Sequence, residues 1–496
     1  MNAAALGAVT TRAWPRVVRP ALALGVFVLA AALRMLGGAH TQLDPFYDAA
    51  VRSMGTSWHA FLVGAFEPSA GVAIDKPPVD LWLQVASTKL LGFGPVGLLL
   101  PAALGGTLAV VALYDVLKTL FGWRVAVVGA LALAVLPIAV ISARSDTMDS
   151  AMAALVVGAW AVAARGLRRG SVGHAVAAGA LIGLAFEVKL FEALIGALPL
   201  AVLWLLAARR TRALVAGLGA AVVVGLAWLV VAPHAWAIGS AHGSAWDAAF
   251  VYDGWDRLAS THHAVSSHVP AAPGALRLFS TQDGLLPRLG VPLGAAWALV
   301  VLGRRRLDRA GLAFVAWLAL GTLLFSVQAG MRPRYLEAFT PAVAACLALG
   351  ARSRAGQVVV GAVLVACVVT SVGAIRANAQ DSGAPGALPA RRVSALSTYL
   401  RAHQRGVYEF ASVDPSPAAP LIAHDGRPAL ILTAAGHQIV GVARLSRLVE
   451  DGAVGDALVP KRCAAPVCAW IRTHGRDVSR AAGEPHRRMV YALGRS

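Results

Sequence analysis

The chain has 496 residues, of which 58% are hydrophobic and 14% charged, and its mean hydropathy is +0.67. Soluble domains carry about a quarter charged residues, so an ordinary globular protein is excluded and a membrane protein is expected. The formal charge of +19 is dispersed in short arginine clusters between apolar runs, which is a topology pattern and not the single basic patch of a nucleic-acid binder.

A membrane span needs ~20 predominantly apolar residues. The first such run, "ALALGVFVLAAALRML", has the look of a signal-peptide core, but many apolar runs follow and "GGAHTQ" is a poor cleavage site, so it reads as a retained first span. Windows at 18–38, 95–117, 123–142, 150–165, 174–190, 191–208, 213–233, 287–303, 310–328, 335–351 and 356–375 predict about 11 transmembrane helices. With the N terminus cytoplasmic, every dense basic cluster falls on one side: Arg12, Arg16 and Arg19; Lys118 and Arg124; Arg165, Arg168 and Arg169; Arg209, Arg210 and Arg212; Arg304, Arg305, Arg306 and Arg309; Arg352 and Arg354. The opposite connections hold most loop carboxylates, including Asp44, Asp48, Asp75, Asp146, Asp149, Asp247, Asp253 and Asp256. The positive-inside bias assigns those loops, and the C-terminal segment, to the extracytoplasmic side of a plasma membrane.

The connection over residues 39–94 contains two amphipathic stretches, "SWHAFLVGAF" and "LWLQVASTKLL", expected as interfacial helices roofing the bundle. Residues 240–286 read as a long polar connection of the kind that forms a lid or a disordered segment; their histidines (His242, His262, His263 and His268) match no metal-ligand spacing and read as solvated. From residue 377 on the composition changes to short strand and helix patterns, so residues 1–376 are expected as a helical membrane domain and 377–496 as a small soluble α/β domain. Cys346 and Cys367 fall in apolar runs, whereas Cys463 and Cys468 are candidates for an external disulfide.

Ionisable groups near spans are costly and are functional candidates by default. Arg34, Asp44, Asp75, Lys76, Arg144, Asp146, Asp149, Glu187, Lys189, Glu192, Arg332, Arg334 and Glu337 all map to the external level. The cations suit an anion such as phosphate, and the carboxylates suit a base for a hydroxyl nucleophile. Plainer readings stand beside these: Lys76 and Arg144 snorkelling or pairing with Asp75 and Asp146, Asp146 and Asp149 capping the span near Ser150, and Glu187, Lys189 and Glu192 satisfying one another at a helix corner.

Six stretches, "LRMLGGAHTQLDPFYDAA", "SWHAFLVGAFEPSAGVAIDKPPVDLWLQ", "ARSDTMDS", "LAFEVKLFEALIGALPL", "PGALRLFSTQDGLLP" and "MRPRYLEAFTPAVAA", resemble in order the bacterial ArnT-like branch of the protein O-mannosyltransferase superfamily. The resemblance implies an all-α polytopic GT-C fold with a small α/β C-terminal domain. It also implies transfer of a hexose-type sugar from a polyprenyl-phosphate monosaccharide to an extracytoplasmic glycan, lipid or protein, usually with inversion. On that likeness Asp44 stands where the family's proposed catalytic aspartate does, with Tyr47 beside it. Asp75 and Lys76 match a second site, whose lysine contacts the donor phosphate in relatives. Arg144, Lys189, Arg332 and Tyr335 suit the lipid phosphate or the sugar, and Asp146, Asp149 and Arg334 complete the candidate substrate-binding set. Two departures stand out: Pro45 replaces an acid common in relatives, which makes Asp48 a possible substitute base, and Arg334 stands where the nearest subgroup often has an aromatic residue. No cofactor is required by this logic, and a divalent metal stays compatible with it. A transporter or flippase of a lipid-linked or anionic solute, and a membrane-anchored scaffold, are the rival readings.

Overall fold

The structure, a computed structural model, describes residues 18–494 apart from 170, 209–210, 233–234, 260–271, 381–383 and 385. Arg12, Arg16, Arg209, Arg210, His262, His263 and His268 lie outside the described residues.

Among the described residues, seven helical stretches are long and apolar enough to cross a membrane: Val18–His40, Pro95–Phe121, Asp149–Leu167, Val172–Leu206, Leu286–Arg306, Arg309–Val327 and Arg354–Gln380. They contain α1 (Val18–Met35), α5 (Pro95–Phe121), α8 (Asp149–Arg169), α9 (Val172–Lys189), α10 (Leu194–Ala208), α15 (Val291–Gly303), α16 (Arg309–Val327) and α18 (Arg354–Gln380). The protein is thus a multi-pass membrane protein. Each of the predicted windows is occupied mainly by helix, but not always as one rod. Pro137 cannot donate a backbone hydrogen bond, so the 123–142 window divides into α6 (Trp123–Val135) and α7 (Pro137–Ser142). The 213–233 window holds α11 (Thr211–Gly225) and α12 (Ala227–Val231), and α17 (Thr340–Gly350) follows a 3-10 segment, Pro333–Phe339.

Small residues decide how closely these helices approach. A Cβ on Gly179 would stand 1.9 Å from the Gly217 carbonyl oxygen, so α9 and α11 pack backbone to backbone through small residues, as membrane helices do where apolar burial supplies little attraction. Gly106 on α5 leaves room for Arg34, whose Nε would lie 2.8 Å from an added Cβ.

The connection after α1 forms α2 (Pro45–Met54), α3 (Trp58–Val63) and α4 (Val79–Leu91). Asp44 caps α2 by accepting from Phe46 N at 3.1 Å, with Pro45 at the first helical position, where its missing N–H costs nothing. Strand β1 (Val72–Ala73) pairs in parallel with β2 (Trp236–Ala237), tying this connection to the segment after α12. Within that segment the described residues 245–259 are helical: α13 (Ala245–Asp247), a π-helical stretch Ala248–Trp255 and α14 (Asp256–Ala259) run consecutively.

Beyond α18 come α19 (Ala390–His403), β3 (Phe410–Ser412), α20 (Pro415–Asp425), β4 (Ala429–Ile431), the hairpin β5 (Thr433–Ala434) and β6 (His437–Gln438), α21 (Val442–Glu450), β7 (Asp456–Leu458), α22 (Pro466–His474), β8 (Arg476–Asp477) and β9 (Val490–Ala492). The five-stranded sheet has the order β4-β3-β7-β9-β8, parallel over the first three strands and antiparallel over the rest. Its α21 and α22 side has an apolar core of its own, including Leu445, Val467 and Ile471. The α19 and α20 side joins the core of the helical bundle, because Leu421 and Ile422 belong to the same buried cluster as Val51 and Met54 of α2. A disulfide joins Cys463 to Cys468 beside α22, and Cys346 and Cys367 are buried free thiols.

Candidate active site

Asp75 and Lys76 are adjacent in sequence and both sit just before Pro77-Pro78. The segment carrying them is held by β1 on one side and by the start of α4 at Val79 on the other. Gly64, at the end of α3, adopts φ 71, and a Cβ there would stand 3.3 Å from Pro78. Lys76 is therefore presented from a stiff junction, and it is only 8% exposed. Its Nζ lies 2.8 Å from Asp75 Oδ1 and 3.7 Å from Asp253 Oδ2. Arg257, one helical turn after Asp253, pairs with Asp253, stands 3.7 Å from Asp75 Oδ2 and donates to the Tyr335 hydroxyl at 2.8 Å. Burial opposes ionisation of both members of the 75–76 pair. Lys76 and Arg257 nevertheless hold the Asp75 carboxyl below its ordinary range, and Asp253 and Asp75 hold the Lys76 ammonium well above its own.

A second arm comes from the break between α9 and α10. Leu190 follows Lys189 with φ 46, a left-handed conformation that is costly for a branched side chain, about 1–3 kcal/mol. This turn ends α9 with Lys189 ion-paired to Asp149 at the start of α8 and its Nζ 4.2 Å from the Tyr335 ring centroid. Arg334 closes the ring, with Nε 3.8 Å from Asp149 Oδ2, NH1 3.5 Å from Asp44 Oδ2, and its guanidinium 5.8 Å from the Tyr47 ring.

Tyr47, Lys76, Asp149, Lys189, Glu192, Asp253, Arg257, Arg334 and Tyr335 line one narrow cavity of about 20 Å³. That volume holds about one water. Four cations and three carboxylates therefore face one another across almost no free space, and an anion can enter only by parting some of these ion pairs.

Asp44 and Asp48 lie behind this wall, not in it. Asp44 reaches the cavity through Arg334, and its backbone N–H donates to Asp146 Oδ1 at 2.9 Å. Asp146 is held in turn by Gln84, whose Nε2 donates to the Asp146 carbonyl oxygen and to Asp80 Oδ2, each at 2.8 Å. Burial, reinforced by the Asp44 charge, pushes the Asp146 carboxyl up to about 8. Burial and the neighbouring Asp146 and Asp44 also raise the Asp48 carboxyl well above its ordinary value, and Asp48 Oδ1 is buried without a hydrogen-bond partner. One proton shared between Asp48 and Asp146 satisfies this arrangement.

Four of the expected substrate residues do not line the cavity: Asp75 stands behind Lys76, Asp146 lies behind Asp44, and Arg144 and Arg332 are placed elsewhere. Arg144 points into the protein, donating to the carbonyls of Leu33 at 3.1 Å and Leu36 at 2.8 Å and to the Thr41 hydroxyl at 3.3 Å, so here it fastens the end of α1 and does not face the cavity. Arg34 does the same lower down, bridging Ala30, Leu133 and Ala134. Arg332 is half-buried in extended backbone ahead of the Pro333–Phe339 turn and does not line the cavity. Glu187 accepts from Trp228 N at 2.9 Å, away from Lys189. In the other direction, Arg257 was missed inside a segment read for its histidines, while its partner Asp253 was placed only among the external loop carboxylates. The i, i+4 spacing in "DGWDR" is the signal that would have marked them as a helical ion pair. Among the described residues no group of three or more His, Cys, Asp or Glu could hold a metal ion.

The fold and this charged ring define the class: the chain is a polytopic membrane protein of the GT-C fold. Over 97% of its length it superposes on 99% of ArnT from Cupriavidus metallidurans bound to undecaprenyl phosphate, with a TM-score of 0.63 and 18% identity. Over 89% it superposes on 69% of the oligosaccharyltransferase AglB from Archaeoglobus fulgidus, solved with an inhibitory peptide and a dolichol-phosphate, with a TM-score of 0.62 and 13% identity. More particularly, residues 75–236, which include Lys76, Asp149 and Lys189, match the family described as dolichyl-phosphate-mannose-protein mannosyltransferase. Two proteins of Bacillus subtilis (strain 168), YycA and YkcB, whose names give them provisionally as mannosyltransferases, are 37% identical over 167 residues and 30% identical over 169. Each match covers 34% of this chain and 24% of the relative, so the chain aligns with about a quarter of either protein.

Proposed function

We propose that the protein is a glycosyltransferase that moves a hexose-type sugar from a polyprenyl-phosphate monosaccharide to an acceptor outside the cytoplasm, with inversion at the anomeric carbon. The observation that carries this reading is the ring of Lys76, Lys189, Arg257 and Arg334 around one cavity, each cation balanced by a carboxylate. Such a ring can turn its cations to a phosphate, provided the displaced carboxylates take up protons or water in their place. The likeness to a fold solved with undecaprenyl phosphate in one case and a dolichol-phosphate in another supports a lipid phosphate as that anion.

In the proposed reaction the donor phosphate displaces Asp253 and Asp75 from Lys76 and Arg257. When Arg334 turns toward the incoming phosphate or sugar, Asp44 loses its cation partner and becomes available to accept a proton. The acceptor hydroxyl gives that proton to Asp44 and attacks the anomeric carbon through an oxocarbenium-like state; the C–O bond to phosphate breaks, and its electron pair leaves with polyprenyl phosphate. The cations stabilise the departing anion. Asp48, sharing a proton with Asp146, is poorly placed to act as the base at neutral pH, which favours Asp44 despite Pro45. The α/β unit from residue 377 on rests on α2 and, on this reading, covers the acceptor side of the site outside the cytoplasm.

The test is incubation of the purified chain with a panel of polyprenyl-phosphate sugars and a membrane extract, with products identified by mass spectrometry. A new glycan, lipid or protein conjugate carrying the donor sugar is expected. Intact lipid-linked sugar with no conjugate for any donor would refute the reading.

A further inference from the structure

The end of the bundle far from the charged ring holds a second cavity. It is lined by Arg19, Pro20, Ala23, Leu24 and Phe27 of α1, Tyr114 and Lys118 of α5, and Trp123 of α6, and has a volume of about 460 Å³. The α5 helix measures this separation: its first residue, Pro95, leads out of the site-bearing connection, and Lys118 lies 23 residues on, about 35 Å at 1.5 Å per residue.

The chemistry of its wall is specific. The Arg19 guanidinium lies 5.2 Å from the Trp123 ring and the Lys118 ammonium 5.6 Å from the Tyr114 ring, and Phe27 packs edge-on against Tyr114. Arg124 approaches Trp123 at 5.7 Å. The nearby carboxylate, Asp115, is paired with Arg165 at 2.8 Å. Among the described residues neither Arg19 nor Lys118 has a carboxylate within ion-pair distance, so both cations rest on aromatic faces with no anion to neutralise them. This contrasts with the charged ring, where every cation has an acid. The outer side of α1 beside the cavity is apolar and exposed, with Leu22 and Leu24 at 40% and 63%. The cavity is therefore cationic at its rim, aromatic and aliphatic in its depth, and open toward the lipid-facing side of the bundle.

We propose that this cavity binds the headgroup of an acidic glycerophospholipid, its phosphodiester held between Arg19 and Lys118 and its first acyl methylenes lying along Leu24 and Phe27. Tyr114 and Trp123 seat the glycerol region, as aromatic residues do at a membrane interface. The basic clusters identify this end with the cytoplasmic leaflet, where anionic lipids are attracted to juxtamembrane cations. The site is separate from the proposed donor site and stands whether or not that reading holds.

Thermal unfolding of the detergent-purified full chain tests it, on titration with phosphatidylglycerol, phosphatidylcholine or water-soluble glycerol phosphate. Phosphatidylglycerol alone is expected to raise the midpoint. A basic residue at an anionic surface is worth roughly a fivefold change in binding, so Arg19→Gln and Lys118→Gln should each shift the lipid titration about fivefold to higher concentration, and the double variant about 25-fold. The charge-preserving pair Arg19→Lys and Lys118→Arg should titrate like the parent. Lys76→Gln, at the other end of the bundle, should keep the response and so separates this site from the donor site. Equal stabilisation by phosphatidylcholine, equal stabilisation by glycerol phosphate, or an unshifted titration in both single glutamine variants would each overturn the proposal.

Discussion

Replacing Lys76 by alanine is the most informative single change at the charged ring. In the unliganded protein Lys76 balances Asp75 at 2.8 Å and Asp253 at 3.7 Å, and Arg257 already contacts both acids. The substitution leaves two buried carboxylates sharing one guanidinium. Removing one member of a buried pair costs about 3–5 kcal/mol when no partner remains; the second cation here brings the expected loss toward the low end of that range. The effect on turnover is different in kind. A charge-assisted contact to a departing oxyanion is worth about 2.7–4 kcal/mol, so Lys76→Ala should lower transfer from a polyprenyl-phosphate sugar ~100-fold or more. Lys76→Arg keeps the charge but widens the head, and should recover stability more fully than activity. The assay is initial-rate transfer of a radiolabelled sugar in proteoliposomes, with thermal unfolding measured on the same preparations. Transfer by Lys76→Ala within about threefold of the parent, in protein that unfolds at the parental temperature, would refute the assignment of this lysine to the leaving group.

Further expectations separate catalytic from architectural roles. Asp44→Asn should abolish detectable transfer with little change in unfolding temperature, whereas Asp48→Asn should retain most activity; the reverse order in the same initial-rate assay would make Asp48 the base. Asp146 titrates about 8 in the folded protein, far above the ordinary aspartate value of about 3.9, so the folded state binds its proton more tightly than the unfolded chain does. Its contribution is therefore most favourable below about pH 4 and is lost progressively as pH rises toward 8. Asp146→Asn keeps the acceptor for Asp44 N and should gain stability on the parent between pH 5 and 8, which unfolding midpoints across that range would record. Arg144→Ala deletes three hydrogen bonds to the end of α1, at about 1 kcal/mol each, and should lower the unfolding temperature while the surviving folded protein keeps its donor affinity. Cys463→Ser with Cys468→Ser opens a short loop worth about 2 kcal/mol in chain entropy. Mass spectrometry after alkylation, with and without reductant, should show both thiols blocked until reduction.

Helix placement was the most legible feature in the sequence, because apolar length is read directly from composition and each predicted window is largely helical. What composition cannot weigh is where a window breaks. Pro137 announces the division of α6 from α7, but the turn at Leu190 carries no glycine or proline, and it is this turn that ends α9 at Lys189. Charges sorted by membrane level singled out Lys76, Asp149, Lys189, Glu192 and Arg334, which meet around the cavity, and the family resemblance added Tyr47 and Tyr335. The same sorting drew in Arg144, since a buried arginine that caps backbone carbonyls has the same sequence signature as one awaiting a phosphate. Arg257 was missed for the opposite reason: it lies in a polar segment over 240–286, which looked like a lid, and only the pairing of β1 with β2 brings that segment against Asp75. The likeness of α20 to a separate soluble layer likewise conceals its packing on α2, because the contact joins elements more than 360 positions apart, residues 45–54 and 415–425.

The central claim is that the sugar leaves its lipid carrier at this site. It is tested most directly by following the lipid product in proteoliposomes loaded with a polyprenyl-phosphate sugar and an acceptor fraction. The account predicts free polyprenyl phosphate appearing in step with conjugated sugar for the parent protein, and neither product for Lys76→Ala or Asp44→Asn. Movement of the intact lipid-linked sugar between leaflets, with no polyprenyl phosphate released, would contradict it.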